Sequence, residues 1–133
     1  RDVFAGDRTP DRLTTLEAAE DVVRVLRPGG VYLVNCADRP PLSLARSEAA
    51  TLRAAFDGVA VVAEPALLRG RRYGNVVLAA VRSPGPDLAD PALGRALRSL
   101  PVPTRVLHGA ELAAFAAGAP VRHDPPPEPQ DGV

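Results

Sequence analysis

Asp2 is the first residue of this chain whose type and position suit chemistry. It opens an acidic loop, Asp2-Val3-Phe4-Ala5-Gly6-Asp7. A carboxylate at a strand end can accept a proton from a reacting group or hold neighbouring loop N–H groups. Asp38 has a similar choice of roles. It follows the apolar run Val31-Tyr32-Leu33-Val34-Asn35-Cys36 and precedes Pro40-Pro41, where a carboxylate either faces a crevice or caps the next helix; capping fits the local sequence better. Tyr73 either walls a ligand pocket or begins a strand and packs beside Phe56. Arg69, Arg71 and Arg72 make a basic loop. They bind an anion, pair with Asp7, Asp11 and Asp38, or lay their stems over apolar surface with their heads in water, and the last reading is the ordinary one. Cys36 sits inside the apolar run and reads as a small core residue rather than a nucleophile. His108 and His123 lack paired ligand spacing, so no metal site is expected.

The elements that must position these side chains follow from periodicity. The opening has the grammar of a strand end, a crossover helix and the next parallel strand. Thr14-Thr15-Leu16-Glu17 reads as a capping box with Thr14 as the cap. Leu16, Ala19, Val22, Val23 and Leu26 then recur on one helical face. Pro28-Gly29-Gly30 stops that helix, and residues 31–36 form a strand whose nearly continuous apolar character predicts cover on both faces. Leu42, Ala45, Ala49, Leu52 and Phe56 mark a second helix after Pro40-Pro41. Strands are expected over 59–63 and 74–81, too close for a helical crossover and so paired antiparallel. Beyond the linker Ser83-Pro84-Gly85-Pro86, short helices are expected over 91–100 and 111–117. Residues 120–133, with Pro125-Pro126-Pro127 and Pro129, read as a disordered tail. The implied divisions are 1–83, 84–119 and 120–133.

Composition narrows the classes. The 133 residues carry 16 basic and 16 acidic side chains, every basic one Arg, for a net charge of zero. Nothing electrostatic argues for nucleic acid or an anionic membrane. A single cysteine excludes an internal disulfide framework and fits a reducing compartment. No apolar segment approaches the length of a membrane span, so a cytoplasmic protein is the expectation.

In order of elements the chain resembles the C-terminal half of S-adenosylmethionine-type methyltransferase domains: a Rossmann-like α/β fold with parallel strands, a terminal antiparallel hairpin and flanking helices. Along its strand-end loops, from Asp2 to about Val81, it resembles the spermidine synthase (polyamine aminopropyltransferase) family. Asp2 matches the first aspartate of that family's catalytic loop, and Pro10-Asp11-Arg12-Leu13 matches the Pro-x-x-Leu that ends it. Ala5 stands where the family has a second aspartate. Cys36-Ala37-Asp38-Arg39-Pro40 resembles its acidic strand-end segment, and Glu64-Pro65 through Tyr73-Gly74 resembles the loop returning to the substrate pocket.

The resemblance implies aminopropyl transfer from decarboxylated S-adenosylmethionine to an amine in the intact protein, with Asp2 as proton acceptor and Tyr73 and Asp38 beside the substrate. Ala5 and the nearby arginines weaken the case for a diamine. Methyl transfer from S-adenosylmethionine and a degenerate, non-catalytic domain are the alternatives. A Rossmann-like site needs a Gly-rich turn after its first strand and an acidic residue after its second. Gly29-Gly30 instead follows a helix and precedes a strand, so this chain alone is expected to bind no cofactor and to be inactive. The expected partners are a small-molecule amine or other small acceptor and a second copy of the chain in a homo-oligomer, with no nucleic acid or membrane.

Overall fold

The computed structural model describes residues 1–132 apart from 5 and 7. Helix α1 (Leu16–Val25) begins one residue later than the capping box predicts. Thr15 is the cap, its hydroxyl oxygen accepting from Ala18 N at 3.2 Å. Thr14 instead donates to Asp11 O at 2.7 Å and closes the short 3-10 turn Asp11–Leu13. Glu17 does not reach back to the cap; its carboxylate accepts from Asp124 N at 3.1 Å.

Strand β1 (Val31–Asp38), helix α2 (Ser43–Ala55) and strand β2 (Gly58–Ala63) follow in the order read from the sequence. The short helix α3 (Pro65–Leu68) then leads to strand β3 (Gly74–Val81), followed by helix α4 (Pro91–Arg98), strand β4 (Arg105–Leu107) and helix α5 (Gly109–Ala116). The sheet order is β1-β3-β2-β4. β3 therefore lies between β1 and β2, antiparallel to both, with Val34 and Val61 each opposite Leu78. β1 and β2 run in the same direction without touching. This is a mixed α/β fold carrying the expected antiparallel hairpin, and β4 extends it antiparallel along β2.

Side chains alternate across the sheet. Val34, Cys36, Val59, Val61, Ala63, Val76, Leu78 and Ala80 enter one core with Ala19 of α1, Ala45, Ala49 and Leu52 of α2, and Leu112, Phe115 and Ala116 of α5. The stripe that predicted α2 is buried in full, from Leu42 to Phe56. The opposite face of β1 departs from the reading of two-sided cover, because Val31 and Leu33 are 42% and 55% exposed. Tyr32, and not Tyr73, stacks near Phe56, with ring centroids 6.2 Å apart.

Gly29-Gly30 has a packing role. Gly29 adopts φ +84°, and a Cβ there would lie 3.2 Å from Pro84 O, while one on Gly85 would lie 2.8 Å from Gly29 Cα. Backbone bonds between Gly29-Gly30 and Arg82 continue the β1–β3 pairing beyond the strands.

β4 belongs to the sheet and α5 to the core, although both fall within 84–119. Residues 120–124, read as tail, are tied down: Ser47 Oγ donates to Pro120 O at 2.6 Å, Leu16 N to Arg122 O at 2.7 Å and Thr15 Oγ1 to Asp124 Oδ1 at 2.6 Å. Polar side chains of α2 and the α1 cap supply partners that composition does not reveal. From residue 119 to 132 the backbone has no helix or strand.

Under the sheet edge lies an ion pair. Arg1 Nη2 donates to Glu48 Oε1 at 2.7 Å and Oε2 at 2.9 Å, with the two side chains only 9% and 3% exposed. Arg1 Nη1 donates to Leu13 O at 2.9 Å. Burial pushes the Glu48 carboxyl up and Arg1 pulls it down less strongly. With its folded value above the ordinary one, Glu48 favours the fold on the acid side, and that contribution is lost as pH rises through the folded value. Removing one partner is worse, because the other charge stays buried. Glu48→Ala is predicted to cost about 3–5 kcal/mol, read as a lower urea midpoint at unchanged slope. A loss under about 1 kcal/mol would show that Arg1 finds water instead.

Candidate active site

The Arg1–Glu48 pair holds the segment that carries Asp2. The terminal amine of Arg1 donates to Leu33 O, and Asn35 N donates to Arg1 O at 2.9 Å. Two bonds from one residue straddling Val34 in this way form a parallel-ladder pattern. Asp2 thus follows a residue hydrogen-bonded along the free side of β1. Its side chain is exposed, and Oδ1 accepts from Asn35 Nδ2 at 3.1 Å. Asn35 Oδ1 is buried without a partner among the described residues. Asn35 was not singled out from the sequence, though one amide inside an apolar run is a legible signal.

Asp38 ends β1, and both of its oxygens are engaged. Oδ1 accepts from Arg39 N at 2.8 Å and Oδ2 from Ala45 N at 2.9 Å. The second bond satisfies a donor in the first turn of α2. That help matters because Leu42, the residue before the helix, has no capping oxygen and sits in left-handed backbone at φ 64°. Asp38 therefore caps.

Asp38 also rims a surface hollow of about 400 Å³ with Tyr73, Arg8, Arg39, Ser43 and Leu44. Tyr73 is 61% exposed and contributes a ring to the wall rather than to the core. The loop over 64–73 is folded toward this place. Leu67 is buried with its methyls near Gly74, and Gly70 lies beside Pro40. The structure thus brings Asp38 and Tyr73 to one hollow and leaves Asp2 outside its lining. Ala5 and Asp7 lie outside the described residues. Arg8 and Arg39, which the sequence did not single out, supply the cations of the hollow.

The basic loop splits. Arg72 pairs with Glu64, while Asp11 faces Arg122 at 3.2 Å and Arg8 at 3.8 Å. Burial pushes the Cys36 thiol up to about 12, with Glu48 and Asp38 adding to the shift, so no reactive thiolate forms near neutral pH. Among the described residues no group of three or more His, Cys, Asp or Glu side chains is placed to hold a metal, and no helix is long and apolar enough to cross a membrane.

No family model and no curated protein matches the chain. Its structure is similar to the crystal structure of a probable spermidine synthase from Corynebacterium glutamicum, with a TM-score of 0.85 and 39% sequence identity over 99% of this chain and 48% of that one. The chain therefore spans about half the length of the protein it resembles.

The cap makes a separable claim about Asp38. Asp38→Ala is predicted to lower stability by about 1–2 kcal/mol through loss of the two backbone acceptors, measured as a drop in the thermal midpoint. An unchanged midpoint would remove the capping role and return Asp38 to the hollow.

Proposed function

We propose that this chain carries the acceptor side of an aminopropyltransferase acting in polyamine-type chemistry. Its co-substrate is decarboxylated S-adenosylmethionine and its acceptor a small amine. The observation that supports this most is the likeness over nearly the whole chain to a probable spermidine synthase; the free oxygen of Asp2 beside β1 fits a proton acceptor.

The chemistry needs such a group. An amine is protonated near neutral pH and has no lone pair for attack until a base takes one proton. In the proposed step the freed nitrogen attacks the aminopropyl carbon bound to the sulfonium. The N–C bond forms, the C–S bond breaks, and the bonding pair moves to sulfur, which becomes a neutral thioether. Asp2 takes the proton. Asn35 orients the carboxylate through Oδ1, while Oδ2 accepts no hydrogen bond among the described residues and is the oxygen assigned to the proton. The negative charge also attracts the ammonium form before transfer. Tyr73 covers the alkyl part of the acceptor. No residue of this chain is assigned to gripping the adenosyl group, because the sequence has no Gly-rich turn between a strand and a following helix.

Asp2→Asn keeps the size of the side chain and its contact with Asn35 but removes the base. In the intact protein, turnover of decarboxylated S-adenosylmethionine with an amine is predicted to fall about 10²–10⁴-fold, with the melting temperature almost unchanged. A large fall in melting temperature with activity retained would make Asp2 a structural residue. Product mass distinguishes an added aminopropyl group from an added methyl group, which S-adenosylmethionine would supply in the competing reading.

A further inference from the structure

We propose that the amine acceptor carries a carboxylate, and that Arg8 and Arg39 in the hollow beside Tyr73 bind it. The inference rests on the aminopropyl-transfer reading for its amine end and on the hollow for its acid end.

The charges of the hollow are unbalanced. Its lining holds two guanidinium groups, Arg8 and Arg39, and one carboxylate, Asp38. Both oxygens of Asp38 already accept backbone N–H groups. Among the described residues Arg39 makes no side-chain hydrogen bond and Arg8 has only a 3.8 Å approach to Asp11, with both of those side chains at least 70% exposed. An exposed pair at that distance holds neither partner firmly. Asp11 is also closer to Arg122, at 3.2 Å. The two guanidiniums are therefore available to a ligand. A free diamine would bring its second positive charge against them. A carboxylate would meet two planar forks suited to bidentate hydrogen bonding, with the Ser43 hydroxyl on the same wall.

The placement links the two ends. Asn35, which holds Asp2, and Asp38, which rims the hollow, lie three residues apart on β1, about 10 Å along the strand and on opposite faces of the sheet. Arg8 follows Asp2 within one loop, and Arg39 directly follows Asp38. On this proposal one small molecule reaches round the end of β1, with its amine at Asp2, its carboxylate in the hollow and its methylenes along Tyr73. In the hollow the one carboxylate is committed to backbone N–H groups and the free groups are cations.

The test compares 1,4-diaminobutane with ornithine, which is the same diamine bearing a carboxylate, in the intact protein with decarboxylated S-adenosylmethionine. Ornithine is expected to have the higher kcat/KM by at least about tenfold. Arg8→Gln/Arg39→Gln is expected to raise the KM for ornithine by at least about tenfold while changing kcat less. Equal or better use of 1,4-diaminobutane would overturn the inference and leave aminopropyl transfer standing. If neither amine is consumed, aminopropyl transfer itself fails. Calorimetric titration of both amines still decides the hollow: ornithine binding that weakens in the double variant supports the carboxylate site, and binding indifferent to it overturns that site.

Discussion

β3 has both edges in hydrogen bonds, and the rest of the chain is arranged around that constraint. Its partners are β1 over eight register pairs and β2 over five. A strand so enclosed needs side chains acceptable on both faces, and Val76, Leu78, Ala79, Ala80 and Val81 are all buried. Val76, Leu78 and Ala80 fill the space under α2, and Val77, Ala79 and Val81 take the other face. Because β3 runs opposite to its neighbours, β1 and β2 must point the same way, so α2 has to cross the sheet between them. The C-terminal end of β1 then coincides with the start of α2 and with the loop leading into β3. The hollow forms where those three pieces meet.

One carboxylate at that meeting point has consequences beyond capping. Asp38 is the residue at which the sheet gives way to helix, and it settles the awkward turn through Pro40, Pro41 and the left-handed Leu42. By being committed there it leaves the rim of the hollow cationic. Asp2, which stands apart from the hollow, is held by the amide of Asn35 and by backbone pairing, and keeps one oxygen open. Two aspartates that look equivalent in the sequence are thus separated into different tasks by what donates to them.

Periodicity made the main layer legible. The stripe from Leu42 to Phe56 and the strand over 74–81 needed only spacing to be read, since each has a long apolar pattern and a punctuated end. The hairpin followed from the short connection between its strands. What escaped was set by contacts distant in sequence. Arg105–Leu107 is too short to show alternation, and it is a strand only because the edge of β2 is there. Glu48 has the character of a solvent-facing helix residue and is 2% exposed because Arg1 meets it. Thr15 displaced Thr14 as cap because the turn before it consumes the Thr14 hydroxyl. At the site, Asp2, Asp38 and Tyr73 stood out by type, whereas Arg8 and Arg39 belong to the commonest class of surface residue and gained meaning only from sharing a hollow.

The docking of residues 120–124 has a consequence for how this chain is made. Thr15 and Asp124, which share a hydrogen bond, are separated by 109 positions, and Glu17 meets His123 across 106. The N-terminal turn of α1 obtains its full set of partners only after residue 124 has been synthesised. At ribosomal speeds of about 5–20 residues per second that interval is roughly 5–20 s. During it α1 can form against α2, but the strip of surface that the tail later covers stays open. The contacts that finish the fold are among those with the greatest loop length, and their closure comes late on entropic grounds. Residues 120–124 act as a latch on α1.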